Sequence, residues 1–395
     1  MSALIVFMVL GLSQQRDVPD DLNAMVEYRR AADLLSQEPL ASIYDAIAPG
    51  YESFDLSARR RLTPRIVRVY EAVQSGNARP YAVSYVDPSD LGLGIVGLSQ
   101  IKATAKALVN YSEVLMADGK PNKAFEVLVA VYIMAGKVGF SADIIHNLVG
   151  VAIQAIAVGP MDRNLQQLTL PAAEHILANV PLPESSNDAL KALIIRSDAN
   201  DRARTLSLIS SLYAKRSELI KELTDELGRP PSSEEVDDRI RVYENVKLAL
   251  ELASQRALDA TDVVDLPEDA WWQEASRLTK IEDEAADYNE FSFALPKAFI
   301  RVTLRNRTVA RLLRLHAHIA KYYWTHGRLP TSLDQLGQDD AILDPVAGGR
   351  FEYELLGEKY DLYSRGFGPY GPIHLAGMPP IGPSDPDDPS AKEKK

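Results

Sequence analysis

Along most of this 395-residue chain apolar residues recur at three- and four-residue steps, and they change to two-residue alternation only near its end. That switch constrains the fold more than any other feature, because the first period lines one face of a helix and the second one face of a strand. Leu22, Met25, Tyr28, Ala32 and Leu35 form one helical stripe, and residues 60–75 and 96–117 carry others. Gly119–Lys120–Pro121 then breaks the chain; the spacing predicts a helix from about Pro121 to Lys137 and another from Ala142 to about Val158, stopped by Gly159–Pro160. Leu190 to Leu227 reads as one long helix with Leu206, Ile209, Tyr213, Ile220, Leu223 and Leu227 on its apolar face, ended by Gly228 and Pro230. Ser232 and Glu235 make a capping box for the next helix, whose stripe begins at Val236 and Ile240, and antiparallel packing of the two would bury both faces. Asp265 to Asp287, with Trp271 and Trp272, predicts a further helix, and Pro296 opens a last long one to about Thr325.

Beyond Gly327 the pattern alternates. Phe351, Tyr353 and Leu355, then Tyr360 and Leu362, read as two strands joined by a tight turn at Gly357–Glu358. The expected fold class is therefore mainly α: an irregular helical-hairpin domain, then a long helix with a small antiparallel β module. The expected division is an export signal over 1–13, the helical-hairpin domain over 14–295, the long helix and β module over 296–378, and a disordered tail over 379–395, where Pro, Asp and Lys dominate.

Two segments resemble known families. Over 105–137, Gly119 and Ala124 sit five apart across a helix–turn–helix and Leu115 precedes the glycine by four, as in one tetratricopeptide-type hairpin; no second copy follows at a 34-residue period. Over roughly 305–370, Gly327, Pro330, Leu333 and Leu336, then Asp344, Pro345, Gly348, Phe351 and Tyr353, then Tyr360, Leu362, Ser364 and Gly366 resemble the C-terminal half of type II secretion major pseudopilins. The resemblance implies a helix packed on a small sheet. Pseudopilins hold calcium with acids in the loop after the final strand; here that loop is Gly366–Phe367–Gly368–Pro369–Tyr370, without a carboxylate, so no calcium is expected. A prepilin cleavage signature with Glu after an apolar helix is also missing. The whole chain resembles uncharacterised exported bacterial proteins that join such parts.

Composition and termini narrow the function. The chain is 46% hydrophobic with a net charge of −12, which suits a packed soluble protein and argues against wholesale nucleic-acid binding. Zero cysteines exclude disulfides, thiolate metal sites and a cysteine nucleophile. Ala3 to Leu12 is nearly all apolar, too short to span a membrane but right for the core of a secretory signal, with Gly11 and Ser13 placed for cleavage before Gln14. No basic residue precedes it, and the alternative is a buried first helix in a cytoplasmic protein.

Candidate chemistry is sparse. Gly92-x-Gly94-x-x-Gly97 has the dinucleotide spacing but no strand–helix–strand unit around it, so no cofactor is expected. The histidines at 146, 175, 316, 318, 326 and 374 show none of the helical spacings that place ligands on one face, and no metal is expected. Asp143 and His146 could meet at i, i+3 in a capping and packing role. The candidate partner-binding residues are Arg301, Arg305, Arg307, Arg311 and Arg314 on the last long helix, with the aromatic cluster Tyr322, Tyr323 and Trp324 beyond them. Glu282, Asp283, Glu284, Asp287 and Glu290 precede the arginines and offer an intramolecular charge match instead. The expected function is an exported, non-enzymatic scaffold that binds a protein or envelope component. The alternatives are a hydrolase with a site assembled from distant residues and a component of a secretion or pilus system.

Overall fold

A computed structural model describes residues 18–37, 56–84, 93–181, 187–199, 216–238, 241, 259–284, 295–337, 342–366 and 371–375. The protein is mainly helical with a small antiparallel sheet at its C-terminal end, as the periodicity predicts. The helices are α1 (Ala24–Ser36), α2 (Leu56–Ala78), α3 (Leu93–Ala117), α4 (Pro121–Gly139), α5 (Ile144–Arg163), α6 (Leu170–Asn179), α7 (Arg216–Leu227), α8 (Glu268–Glu284) and α9 (Leu295–His326). Residues 187–199 and 259–265 are also helical.

At the centre lies α4. Ala124, Phe125, Val127 to Tyr132, Met134, Ala135 and Val138 are buried, so most of the helix is covered, and the polar residues Asn122, Lys123, Glu126 and Lys137 keep to one side. α1, α2, α3, α5 and α6 pack around it. α3 and α4 form the hairpin expected at 105–137: Lys120 N–H donates to Leu115 O at 2.8 Å and Gly119 N–H to Met116 O at 3.0 Å, a Schellman ending with Gly119 at φ +69°.

The turn after α4 lets α5 fold back along it, and the two helices nearly touch. A Cβ on Gly150 would stand 2.6 Å from Ala135 O and 2.7 Å from Gly139 Cα. α5 does not stop at Gly159–Pro160 as the sequence predicts; it runs on to Arg163, and a 3₁₀ turn follows at Leu165–Gln167. Pro160, Met161 and Leu165 are buried here. Burying large apolar side chains at ~1.5–3 kcal/mol each offsets the ~3 kcal/mol cost of an internal proline. The periodicity also missed α6, which Thr169 caps by accepting from Ala172 N–H at 3.3 Å, with Pro171 in its first turn.

Polar side chains close the helix ends inside this bundle. Asn23 caps α1 through Met25 N–H at 3.1 Å, and its amide exchanges two hydrogen bonds with the Val83 backbone at 2.9 and 3.0 Å. Lys137 on α4 donates to Asn77 O at 2.9 Å and also reaches Gly76 O and Arg79 O, gathering the carbonyls at the end of α2. Burial lowers its pKa. Tyr28 Oη donates to Asn77 Oδ1 at 2.8 Å, and Asn77 in turn donates to Ala130 O at 2.8 Å.

The helix expected over 190–227 lies partly outside the described residues; its end at α7 is followed by Gly228 at φ +65°. The capping box is present. Ser232 N–H donates to Glu235 Oε2 at 2.7 Å, Glu235 N–H donates to Ser232 Oγ at 3.2 Å, and Arg229 adds a bidentate pair to Glu235. Residues 1–17 and 376–395, which include the expected signal and tail, lie outside the described residues.

At the C-terminal end, β1 (Leu343–Asp344) pairs antiparallel with β2 (Gly349–Arg350), and β3 (Glu352–Leu356) pairs with β4 (Lys359–Ser364), which pairs with β5 (Ile373–His374). The β3–β4 turn is Gly357–Glu358, with Gly357 at φ +68°. Tyr360 and Leu362 point into the core, whereas Leu355, expected inward, lies near the hairpin tip and is exposed. The main core is continuous across the boundary expected at 295/296: Leu312, Leu313, Ile319, Phe351 and Leu362 share it with α1 to α6.

Gly150→Ala should lower the denaturant midpoint without changing the m-value. Its new methyl meets backbone atoms that cannot rotate away, so overpacking of up to ~3 kcal/mol exceeds the ~1 kcal/mol gained by removing a helical glycine.

Candidate functional site

α9 carries the candidate arginines, and its packing decides which of them face water. It lies against α5, α6, α8 and strands β4 and β5. Arg301 and Arg305 are exposed, whereas Arg307 and Arg311 are only 3% and 4% exposed. The expected row therefore divides into an outer pair and an inner pair.

The inner pair converges on one carboxylate. Glu268, in the first turn of α8, takes Arg307 Nη1 on Oε1 and Arg311 Nη2 on Oε2, the latter at 2.8 Å. Arg307 also donates to Asn187 Oδ1 at 2.6 Å, and its guanidinium sits 4.6 Å from the centre of the Trp271 ring. Trp271, fully buried, donates its indole N–H to Leu266 O at 2.8 Å. Arg311 Nη1 donates to Leu343 O at 3.3 Å, tying β1 to the same point. Desolvation raises the Glu268 carboxyl pKa, and the Arg307 charge pulls it back down. Desolvation likewise lowers Arg307.

The Asp344–Gly348 turn closes over this region. Val346 N–H donates to Asp344 Oδ1 at 3.0 Å, an Asx turn of the kind Asp-Pro favours. Gly348 adopts φ +64°, and a Cβ there would stand 2.8 Å from Asp269 Oδ2 on α8. Val346 enters a second core with Leu193, Ile194, Val263, Trp271 and Ile300. The cluster thus joins helix 187–199, α8, α9 and the β module.

The remaining candidates sit farther along α9. Arg314 Nη1 donates to Leu177 O at 2.8 Å and to Val180 O, capping the end of α6. Tyr322 Oη donates to Gln335 Oε1 at 3.3 Å and its ring stacks on His326 at 4.0 Å. Tyr323 packs on the core, and Trp324 Nε1 donates to Leu168 O at 3.1 Å. The three aromatics pack the end of α9 rather than forming one surface. Of the acids expected to match the arginines, Asp287 and Glu290 and the side chains of Glu282, Asp283 and Glu284 lie outside the described residues. Glu268 is the partner that sequence reasoning missed. It lies 39 residues from Arg307, and only its place in a helix's first turn after Pro267 marks it at all.

Two histidine sites are structural in geometry. Asp143 caps α5, its Oδ1 accepting His146 N–H at 3.0 Å and lying 2.7 Å from His146 Nδ1. This is the capping and packing arrangement that the i, i+3 spacing suggests. His316 Nδ1 lies 2.7 Å from Tyr360 Oη, joining α9 to β4 in the core, and burial lowers the His316 pKa to about 3. Burial, with the nearby positive charges of Arg314 and Lys321, lowers His318 to about 4. Of the glycine triplet, Gly94 and Gly97 lie inside α3 and Gly92 lies outside the described residues. Among the described residues, no group of three or more His, Asp or Glu side chains is placed to hold a metal.

Glu268→Ala strands two buried guanidinium groups and should cost ~3–5 kcal/mol, whereas replacing Glu268, Arg307 and Arg311 together by Leu, Met and Leu should recover most of that loss. Denaturant titration of the single and triple variants checks both. For His316, the unfolded chain takes up a proton as pH falls through about 6.5, but the folded chain refuses it until about 3. Stability is therefore full above about 6.5 and declines as pH falls, by up to ~1.4 kcal/mol per pH unit. Between about pH 7 and 4 the wild-type unfolding midpoint should drop more steeply than that of His316→Asn. Comparison of the chain with protein-family models, curated proteins and solved structures found no match.

Proposed function

We propose that the protein is an exported, non-enzymatic scaffold whose helical body presents a surface to a protein or envelope partner. The observation that carries this reading is the use to which the ionisable groups of the interior are put. Lys137 gathers the end of α2, Arg314 the end of α6, and Arg307 and Arg311 lock α9 to Glu268. Each of these charges holds helices in place, which is what a rigid platform requires. Arg301 and Arg305, one helical turn apart and exposed near the start of α9, give that end of the helix a basic surface, and they favour an acidic segment on the partner. The apolar run Ala3 to Leu12 supports export, and the resemblance at 305–370 supports an association with the cell envelope.

Chain recovered from the medium or periplasm of an expressing bacterium should begin at Gln14; retention of Met1 in all of it overturns export. Captured from envelope extract, the partner should be lost on Arg305→Glu while the melting temperature stays unchanged. Equal capture by variant and wild type removes the basic surface from the proposal.

A further inference from the structure

α2 carries Arg59, Arg60, Arg61, Arg65 and Arg68, with no lysine and one acid, Glu71. The first two arginines tie α2 to α3. Arg59 Nη1 pairs with Glu113 Oε2 at 2.6 Å, and Arg60 holds Asp118 Oδ1 through Nε at 3.0 Å and Nη2 at 2.5 Å. Arg61, Arg65 and Arg68 lie on the far side of α2 from Leu62, Thr63 and Ile66, which line its cleft with α3. At 3.6 residues per turn the three fall within an arc of about 60°, so they form one stripe some 10 Å long. All three are exposed, and Arg61 and Arg68 have no ion-pair partner among the described residues. An exposed charge is ordinarily just solvated. This stripe differs because the chain has 55 acidic side chains against 43 basic ones, yet it gathers cations of one kind on one face and leaves two of them unpaired.

We propose that the α2 stripe docks on the phosphates of an anionic phospholipid surface. Charge complementarity selects an anion, and the choice of arginine at every basic position of α2 favours phosphate, whose oxygens a planar guanidinium grips two at a time. Shape favours a plane over a peptide. The stripe is the convex side of a helix, whereas an extended or helical peptide needs a groove or a sheet edge. Pro64 is the exposed apolar residue between the arginines, and no aromatic stands among them, so the contact is made by charge at the headgroups without insertion into the acyl layer. With a net charge of −12 on the whole chain, the same lipid repels the rest of the molecule and turns α2 toward the bilayer. The choice of a bilayer over a nucleic acid rests on the export reading above, which places the chain beside a membrane.

Co-sedimentation of the full chain with vesicles tests this. The chain should pellet with vesicles of phosphatidylcholine and phosphatidylglycerol and stay in solution with phosphatidylcholine alone. It should leave the anionic vesicles as salt rises from about 0.1 to about 1 M, where the screening length falls from ~10 to ~3 Å. A cation beside an anionic surface adds roughly fivefold in affinity, so Arg61→Gln with Arg68→Gln should weaken binding about 25-fold. Both positions are exposed and glutamine keeps the helix propensity, so the melting temperature should not move. Arg305→Gln on α9 should bind as wild type. Equal binding to the two kinds of vesicle, undiminished binding by the double variant, or an equal loss on Arg305→Gln overturns the proposal. So does a chain that stays in solution with both, or one that binds duplex DNA or polyglutamate as tightly as the anionic vesicles. The cleavage before Gln14 reports on export separately, so an exported chain indifferent to anionic vesicles defeats this inference and leaves that reading standing.

Discussion

A helix that is apolar over most of its circumference has to be largely surrounded, and α4 imposes that condition on the helices around it. Enclosing it brings helix ends into the interior, where their unpaired carbonyls and N–H groups lose water. The buried polar side chains answer that need. Lys137 gathers the end of α2, Asn77 links Tyr28 to the α4 backbone, and Asn23 begins α1 while holding the Val83 strand-like segment. At Gly150, where a Cβ would collide with the α4 backbone, the sequence supplies glycine, and there the backbones of α4 and α5 come within contact of each other.

Around this bundle, α9 acts as a beam joined by charge as well as by apolar packing. Replacing a buried ion cluster by apolar residues is often neutral or stabilising, so the Glu268–Arg307–Arg311 cluster is better understood as a register than as a source of stability. Both guanidinium groups reach the same carboxylate in one alignment of α9 with α8; a slip of one residue would rotate them about 100° away. The cation–π contact with Trp271 and the hydrogen bond to Leu343 O fix the same alignment from two further directions.

Much of this was legible from local pattern. The stripes located α1 to α5 and α9, Gly119 and Pro121 marked the hairpin turn, and Ser232 with Glu235 gave the capping box, because each signal acts within a few residues. Gly357–Glu358 and the alternation beside it likewise gave the β3–β4 hairpin. The misses share a cause, which is dependence on distant partners. Pro160 is carried inside α5 by the burial of Met161 and Leu165, Arg307 and Arg311 are drawn inward by a glutamate far along the chain, and Leu355 is left in water near the hairpin tip. Which face of α5 is covered is also invisible locally, since a helix apolar on both faces gives no sign of the one its neighbours will take.

The cores are closed late in the chain. Val346 completes the smaller one, and Phe351, Tyr360, Leu362 and Leu375 help complete the larger. Until α9 is made, α5, α6 and α8 lack one of their neighbours, and long-range contacts of this kind are the slow ones to form. Both cores are therefore completed only once residues 346–375 have left the ribosome, well after the helices they cover.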